Sequence, residues 1–179
     1  MNKIIYNIIS LAKNEKCFNI INKIGSIDNY NLIIPNLYLG NIKTSYDINF
    51  LNKHNIKAIV NCTKNEPYSD YFKDKKVFRL DVDDSKEIDN INNFKNNIMK
   101  AIEFIDINLK ENNSVYVHCY WGLMRSATVV AGYLITKYKI SYIDAIAIIK
   151  EKRPKALSIF YNFNDVLKHV EEKTNNQYL

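Results

Sequence analysis

The chain has 179 residues, 47% hydrophobic and 25% charged, a balance that suits one soluble globular domain with a full core and excludes both a disordered chain and one that needs disulfides or metal to fold. Its formal charge of +6 comes from scattered lysines with no long basic block, which suggests anionic substrates more than a dedicated nucleic-acid surface, so no nucleic acid is expected, and a mixed solvated surface is the plainer reading. Cys17, Cys62 and Cys119 are widely spaced with no C-x-x-C pair, which argues against a zinc site or a disulfide framework and implies a reducing, intracellular setting.

The first residues, "MNKIIYNIISLAKNEK", read as an amphipathic helix: Ile4, Ile5, Ile8, Ile9 and Ala12 share a face while Lys3, Asn7 and Lys13 lie off it. Tyr6 and Asn7 interrupt the apolar stretch and no small-residue cleavage site follows, so it does not read as a signal peptide. No apolar run approaches the roughly 20 residues needed to cross a bilayer, so no membrane partner is expected. Residues 1–25 thus form a helix and linker, with residues 26–174 as the domain and 175–179 as a tail. The apolar stripe needs a partner, either its own domain or a second subunit.

"NLIIPNLYLG" predicts one or two short strands around Pro35, followed by a helix from Thr44 to about His54. "IKAIVNCT" is an apolar, β-branched run of the kind buried on both faces of a parallel sheet. "KKVFRLDV" gives a further strand, and the acidic "DVDDSKEIDN" after it is expected to be a loop. Phe94, Ile98, Ile102, Ile105 and Leu109 fall on one helical stripe that ends near Asn112 and Asn113. "SVYVH" is a short buried strand, helix follows from Ser126 to about Tyr138, and Ser141 with Asp144 marks the start of another that Arg153 and Pro154 end. A last helix is expected over residues 161–172. Strands alternating with helices predict an α/β domain: a central, mostly parallel, twisted sheet flanked by helices on both faces.

Between that buried strand and its helix lies "HCYWGLMRS", His118 to Ser126. Open α/β sheets place ligands at such strand-to-helix loops, where backbone N–H groups and the helix dipole attract anions. The same field favours a thiolate, so Cys119 is the candidate nucleophile. Arg125, six positions later, offers two parallel N–H donors to two phosphate oxygens. Gly122 permits a turn that most residues resist. The phosphate-binding loop is completed by His118, Tyr120, Trp121, Leu123 and Met124, with Ser126 placed to donate to the Cys119 sulfur. Tyr120 and Trp121 either frame the pocket and stack on an aryl ring or pack against neighbouring loops.

His118, Cys119, Gly122, Arg125 and Ser126 resemble the active-site loop of the cysteine-based protein tyrosine phosphatases, in the small dual-specificity branch. The resemblance runs over roughly residues 30 to 172, through "IPNLYLGNIKTSYDINFLNKHNIKAIVNCT", "AIEFIDINLKENNSVYVHC" and "SATVVAGYLITKYKISYIDAIAIIKEKRP". The N-terminal helix and "VDDSKEIDNINNF" are most similar to the poxviral members, which implies a homodimer through residues 1–20 and, for a viral chain, the host cytoplasm or virion. The fold implied is protein-tyrosine-phosphatase-like. The activity implied is hydrolysis of phosphotyrosine and of phosphoserine or phosphothreonine in a phosphorylated protein substrate, through a cysteinyl-phosphate, with no cofactor and no metal.

The family also uses an Asp on a mobile loop to protonate the leaving oxygen. Asp81, Asp83, Asp84 and Asp89 compete for that role; aligning "FRLDVDD" with the family's strand-then-acid pattern favours Asp83, with Asp84 as the alternative. The interval from Asp83 to Cys119 exceeds the family's usual one, as an insertion near residues 87–93 would explain. A second departure follows Arg153-Pro154, where the family's Pro-Asn pair, whose Asn braces the loop, is replaced near Ser158 and Ile159; Asn162 is the candidate substitute. Cys62, at the end of a buried strand, is either core packing or a disulfide partner for Cys119 on oxidation. The alternative functions are an RNA 5'-triphosphatase or phosphoinositide phosphatase on the same fold, and a catalytically weak phosphopeptide-binding module. The loop lacks the Thr-His-Gly of the RNA enzymes and the inner lysines of the lipid enzymes. Intact Cys119 and Arg125 weigh against the module.

Overall fold

A computed structural model describes residues 28–64, 72–158 and 163–176; the N-terminal helix, Cys17, Ile159 and Asn162 lie outside the described residues. The elements in order are β1 (Tyr30–Ile34), β2 (Leu37–Asn41), α1 (Ile42–Ser45), α2 (Ile48–Lys53), β3 (Ile56–Asn61), β4 (Lys76–Arg79), α3 (Ile88–Lys110), β5 (Ser114–Cys119), α4 (Arg125–Tyr138), α5 (Tyr142–Lys152) and α6 (Asn164–Asn176). The sheet runs β1-β2-β5-β3-β4, with β1 and β2 antiparallel and every other pairing parallel. The expected central, mostly parallel sheet is therefore present, with β5 at its middle.

Strand alternation sorts the core into two layers. Leu37, Leu39, Ala58, Val60, Val115 and Val117 face the larger helical layer, while Tyr38, Ile59 and Tyr116 face a smaller cluster with Phe50, Leu51 and Phe72. A register shift between Ile56 and Ala58 lets Ile56 join Ile59 on that second face. Helices thus lie on both faces. α4 is the central one, buried from Arg125 to Ile135, and its partner α3 turns in Phe94, Ile98, Ala101, Ile102 and Ile105. The turns are built largely by asparagine: Asn36, Asn55 and Asn112 all take the left-handed conformation that Asn tolerates better than most residues.

Two predicted boundaries move. The helix expected from Thr44 to His54 is two short helices, because the Asn41 side chain accepts from the Thr44 N–H and the Asp47 side chain accepts from the Asn49 and Phe50 N–H groups, so each starts its own turn. The acidic loop ends earlier than expected, since α3 begins at Ile88 and takes in Asp89 and Asn90. Asp89 in that first turn faces the positive end of the helix dipole.

Candidate active site

β5 delivers Cys119 to the carboxyl edge of the sheet, and the loop from Tyr120 to Met124 returns the chain into α4 at Arg125. Every carbonyl of that loop is held from outside. Tyr120 O accepts from Ile42 N at 3.1 Å, Leu123 O from Leu157 N at 2.9 Å and Met124 O from Thr128 N at 2.8 Å. Trp121 O and Gly122 O accept from the Arg153 guanidinium at 3.1 and 2.7 Å. With the carbonyls turned outward, the peptide N–H groups are left to face the centre, as an anion cradle requires. The Gly122 N–H already points there, donating to the Cys119 sulfur at 3.3 Å.

Gly122 is required twice over. Its φ is +70°, and a Cβ added there would run into the backbone of Gly40 and Asn41. The Leu-Tyr-Leu-Gly strand β2 is thus pressed against the loop, and Tyr116 ties the same place by donating to Asn41 O at 2.6 Å.

Cys119 is 1% exposed at the base of the cradle, and its sulfur also accepts from the Ser126 hydroxyl at 3.2 Å. Arg125 is buried and donates to Val82 O at 3.3 Å. His118 is enclosed beneath the loop, stacked on Tyr116 with centroids 5.7 Å apart. Burial, helped by the nearby Arg79 and Arg125 charges and opposed by the Cys119 backbone, lowers its pKa to about 4, so at neutral pH the imidazole is uncharged. Cys62 continues β3 beside this site, donating its N–H to His118 O at 2.8 Å. Burial and then the Cys119 sulfur push its thiol up, against the pull of Arg125, so it stays protonated.

The two leading acid candidates are separated by orientation. The Asp83 carboxylate is turned to Lys64 at 2.8 Å and raises that ammonium above its ordinary value. The Asp84 carboxylate stands 3.7 Å from the Arg125 guanidinium. Asp81 lies 3.8 Å from Arg79, and Asp89 is in α3. Of the four, Asp84 is the one brought against Arg125.

Tyr120 and Trp121 are 47% and 59% exposed, edge to face with centroids 5.1 Å apart, so neither is buried against a neighbouring loop. They border a cleft of about 330 Å³ with Asn29, Asn41, Ile42 and Lys43.

Sequence reasoning missed Arg153 as a site residue, seeing only a helix end. It is 2% exposed, and besides the two loop carbonyls it donates to Asp28 O at 2.8 Å and the Asn31 side chain at 2.6 Å. Its neighbour Leu157 supplies the third brace. The one available signal was the Arg153-Pro154 pair itself, at the end of the segment that resembles the family. Among the described residues no group of three or more His, Cys, Asp and Glu is placed to hold a metal ion, and no helix is long and apolar enough to cross a membrane.

The family model for the dual specificity phosphatase catalytic domain matches residues 37–173. Human dual specificity protein phosphatase 9 is 37% identical over 136 residues, 74% of this chain and 33% of that protein. Human dual specificity protein phosphatase 6 is 36% identical over 136 residues, with the same coverage of 74% and 33%. The chain spans no more than 33% of the length of the first curated relatives it matches. The crystal structure of human DUSP28 superposes with a TM-score of 0.72 at 20% identity, covering 82% of this chain and 95% of that one, a likeness of fold. With that domain model matched over residues 37–173 and a relative 37% identical over 74% of the chain, the chain belongs to the dual-specificity phosphatase catalytic-domain family of the protein tyrosine phosphatase superfamily.

Proposed function

We propose that the chain is a protein phosphatase acting on phosphotyrosine and on phosphoserine or phosphothreonine. The observation that carries this is the cradle itself: a sulfur at its base, five carbonyls held outward around it, and Arg125 at its rim. In the first step the Cys119 thiolate attacks phosphorus in line and forms the S–P bond, while Arg125 and the loop N–H groups hold the other oxygens. The P–O bond to the substrate breaks, and its oxygen takes a proton from Asp84. The ionised Asp84 then accepts a proton from water as that water attacks phosphorus. The S–P bond breaks, inorganic phosphate leaves, and the Ser126 hydroxyl, 3.2 Å from the sulfur, stabilises the departing thiolate.

Asp84 takes the acid role in preference to Asp83 because its carboxylate is the one beside Arg125. The Tyr120 and Trp121 rings supply an aromatic rim for a phosphotyrosine side chain. No residue between Cys119 and Arg125 carries a cation, so nothing in the loop favours a polyanionic lipid headgroup or an RNA triphosphate.

The finer reading extends the likeness to poxviral members, on residues 1–25 and 82–94, to a homodimer through residues 1–20 and to a reducing, intracellular compartment that preserves the thiolate. Sedimentation of the full chain against one beginning at Ser26 tests the dimer, and equal behaviour removes it. The activity is tested by hydrolysis of aryl and peptide phosphates by the intact chain and by Cys119→Ser. The serine variant is expected to bind phosphate and turn nothing over. An inactive intact chain that binds phosphate would make it a recognition module.

A further inference from the structure

The segment that carries the acid, residues 80–85, is held by side chains. Asn93 Nδ2 donates to Asp81 O at 2.7 Å, and Arg125 donates to Val82 O at 3.3 Å. Asn90 alone makes three bonds: its Oδ1 accepts from Asp83 N at 2.8 Å, and its Nδ2 donates to Asp83 O and to Ser85 O, each at 2.8 Å. These brackets fall on either side of Asp84. The pattern fixes which way the amide points, since a backbone N–H needs an acceptor and two carbonyls need two donors. Asp at 90 would have no donor for the carbonyls, and Gln would be one methylene too long. Both asparagines come from the start of α3, whose N-cap Glu87 makes no capping bond of its own.

We infer that Asn90 is a positioning residue for the general acid, presetting the 83–85 backbone so that the Asp84 carboxylate stands at the phosphate site before substrate arrives. This rests on the phosphatase reading above and on Asp84 as the acid. The loop then needs little rearrangement to become competent, unlike the mobile acid loop that the family resemblance implies. The insertion near residues 87–93 has a purpose on this account: it brings two amides, Asn90 and Asn93, up to the acid segment.

The test compares the intact chain with Asn90→Ala, Asn90→Asp and Asp84→Asn on two substrates, phosphotyrosine and p-nitrophenyl phosphate, whose leaving group departs readily without a proton. Phosphotyrosine turnover is expected to fall about 10- to 100-fold in both Asn90 variants, the scale of a catalytic group displaced by about an ångström. Turnover of p-nitrophenyl phosphate should fall several-fold less, and the limb of the pH–rate profile due to the acid should flatten as it does in Asp84→Asn. Alkylation of Cys119 by iodoacetate and competition by inorganic phosphate should be unchanged, since Asn90 does not touch the cradle. Equal losses on both substrates with an unaltered pH profile would mean a merely structural role and overturn the inference, as would full activity in both variants. Should Asn90→Ala fail to fold, Asn90→Asp and Asn93→Ala carry the same comparison. An inactive parent, or Asp84→Asn indifferent to leaving group, would instead refute the phosphatase reading or the acid assignment.

Discussion

Replacing Arg153 tests whether the cradle depends on a residue that never touches substrate. The guanidinium makes four bonds: two to the loop carbonyls of Trp121 and Gly122, and two to Asp28 O and the Asn31 side chain. Hydrogen bonds to charged groups contribute about 1.5–3 kcal/mol each, but they are not additive when one side chain makes them all. The Gly122 bond is fully buried and the other three are partly so, so Arg153→Met should cost about 3–5 kcal/mol, the range for a buried polar network stripped of one partner. For a domain of this size that is a drop in melting temperature of roughly 6–20 °C at about 2–4 °C per kcal/mol. Two freed carbonyls would also let the loop rotate, so turnover of an aryl phosphate should fall about 100-fold, with weaker competition by inorganic phosphate. Arg153→Lys keeps the charge but has no fork, and should recover stability better than activity. The assay is a thermal melt beside steady-state kinetics on the same preparations. An Arg153→Met chain that melted within a few degrees of the parent and kept its turnover would refute the bracing argument.

Asp84→Asn should lower phosphotyrosine turnover by about 10²–10⁴-fold, the usual contribution of a general acid, and remove one limb of the pH profile. Asp83→Asn should stay within a few-fold, because that carboxylate is engaged with Lys64; the reverse ranking would restore Asp83 to the acid role. Gly122→Ala must adopt φ +70° with its Cβ against Gly40, so it should abolish turnover and destabilise the domain; an active, stable variant would contradict the close approach of β2. His118 is buried uncharged with its pKa depressed to about 4. The unfolded chain therefore takes up this proton more readily, so the stability His118 contributes is complete above about pH 6.5 and is lost as pH falls toward 4. The effect is on the order of 3 kcal/mol, and urea unfolding across that window should show a shallower decline in His118→Gln than in the parent.

How much was readable from the sequence depended on distance along the chain. The Cys119 to Ser126 loop, the buried strands β3 and β5 and the capped start of α5 are short-range patterns of spacing and period, and they stand where they were expected. A strand-to-helix loop also needs no partner to be recognised, because its residues are covalent neighbours. The helix split at Asp47 was missed because a capping side chain in mid-pattern also reads as an exposed polar position. Among the four neighbouring aspartates, alignment with the family pattern favours Asp83, because a linear pattern shows spacing and not which carboxylate meets which cation. Their surroundings separate only when α4 brings Arg125 to Asp84 and the segment after β3 brings Lys64 to Asp83.

The amino-acid sequence by itself therefore determined the α/β class and singled out Cys119 and Arg125 as the candidate nucleophile and phosphate-binding Arg, with Gly122 at the turn between them, since each follows from local chemistry. Only the tertiary structure decided what holds that chemistry in place: Arg153 and Leu157 on the loop carbonyls, Gly40 against Gly122, and Asn90 around the acid segment. These are polar contacts and close approaches between elements that meet only after the sheet has assembled. A residue's hydropathy says whether it is buried, but not which carbonyl it will face.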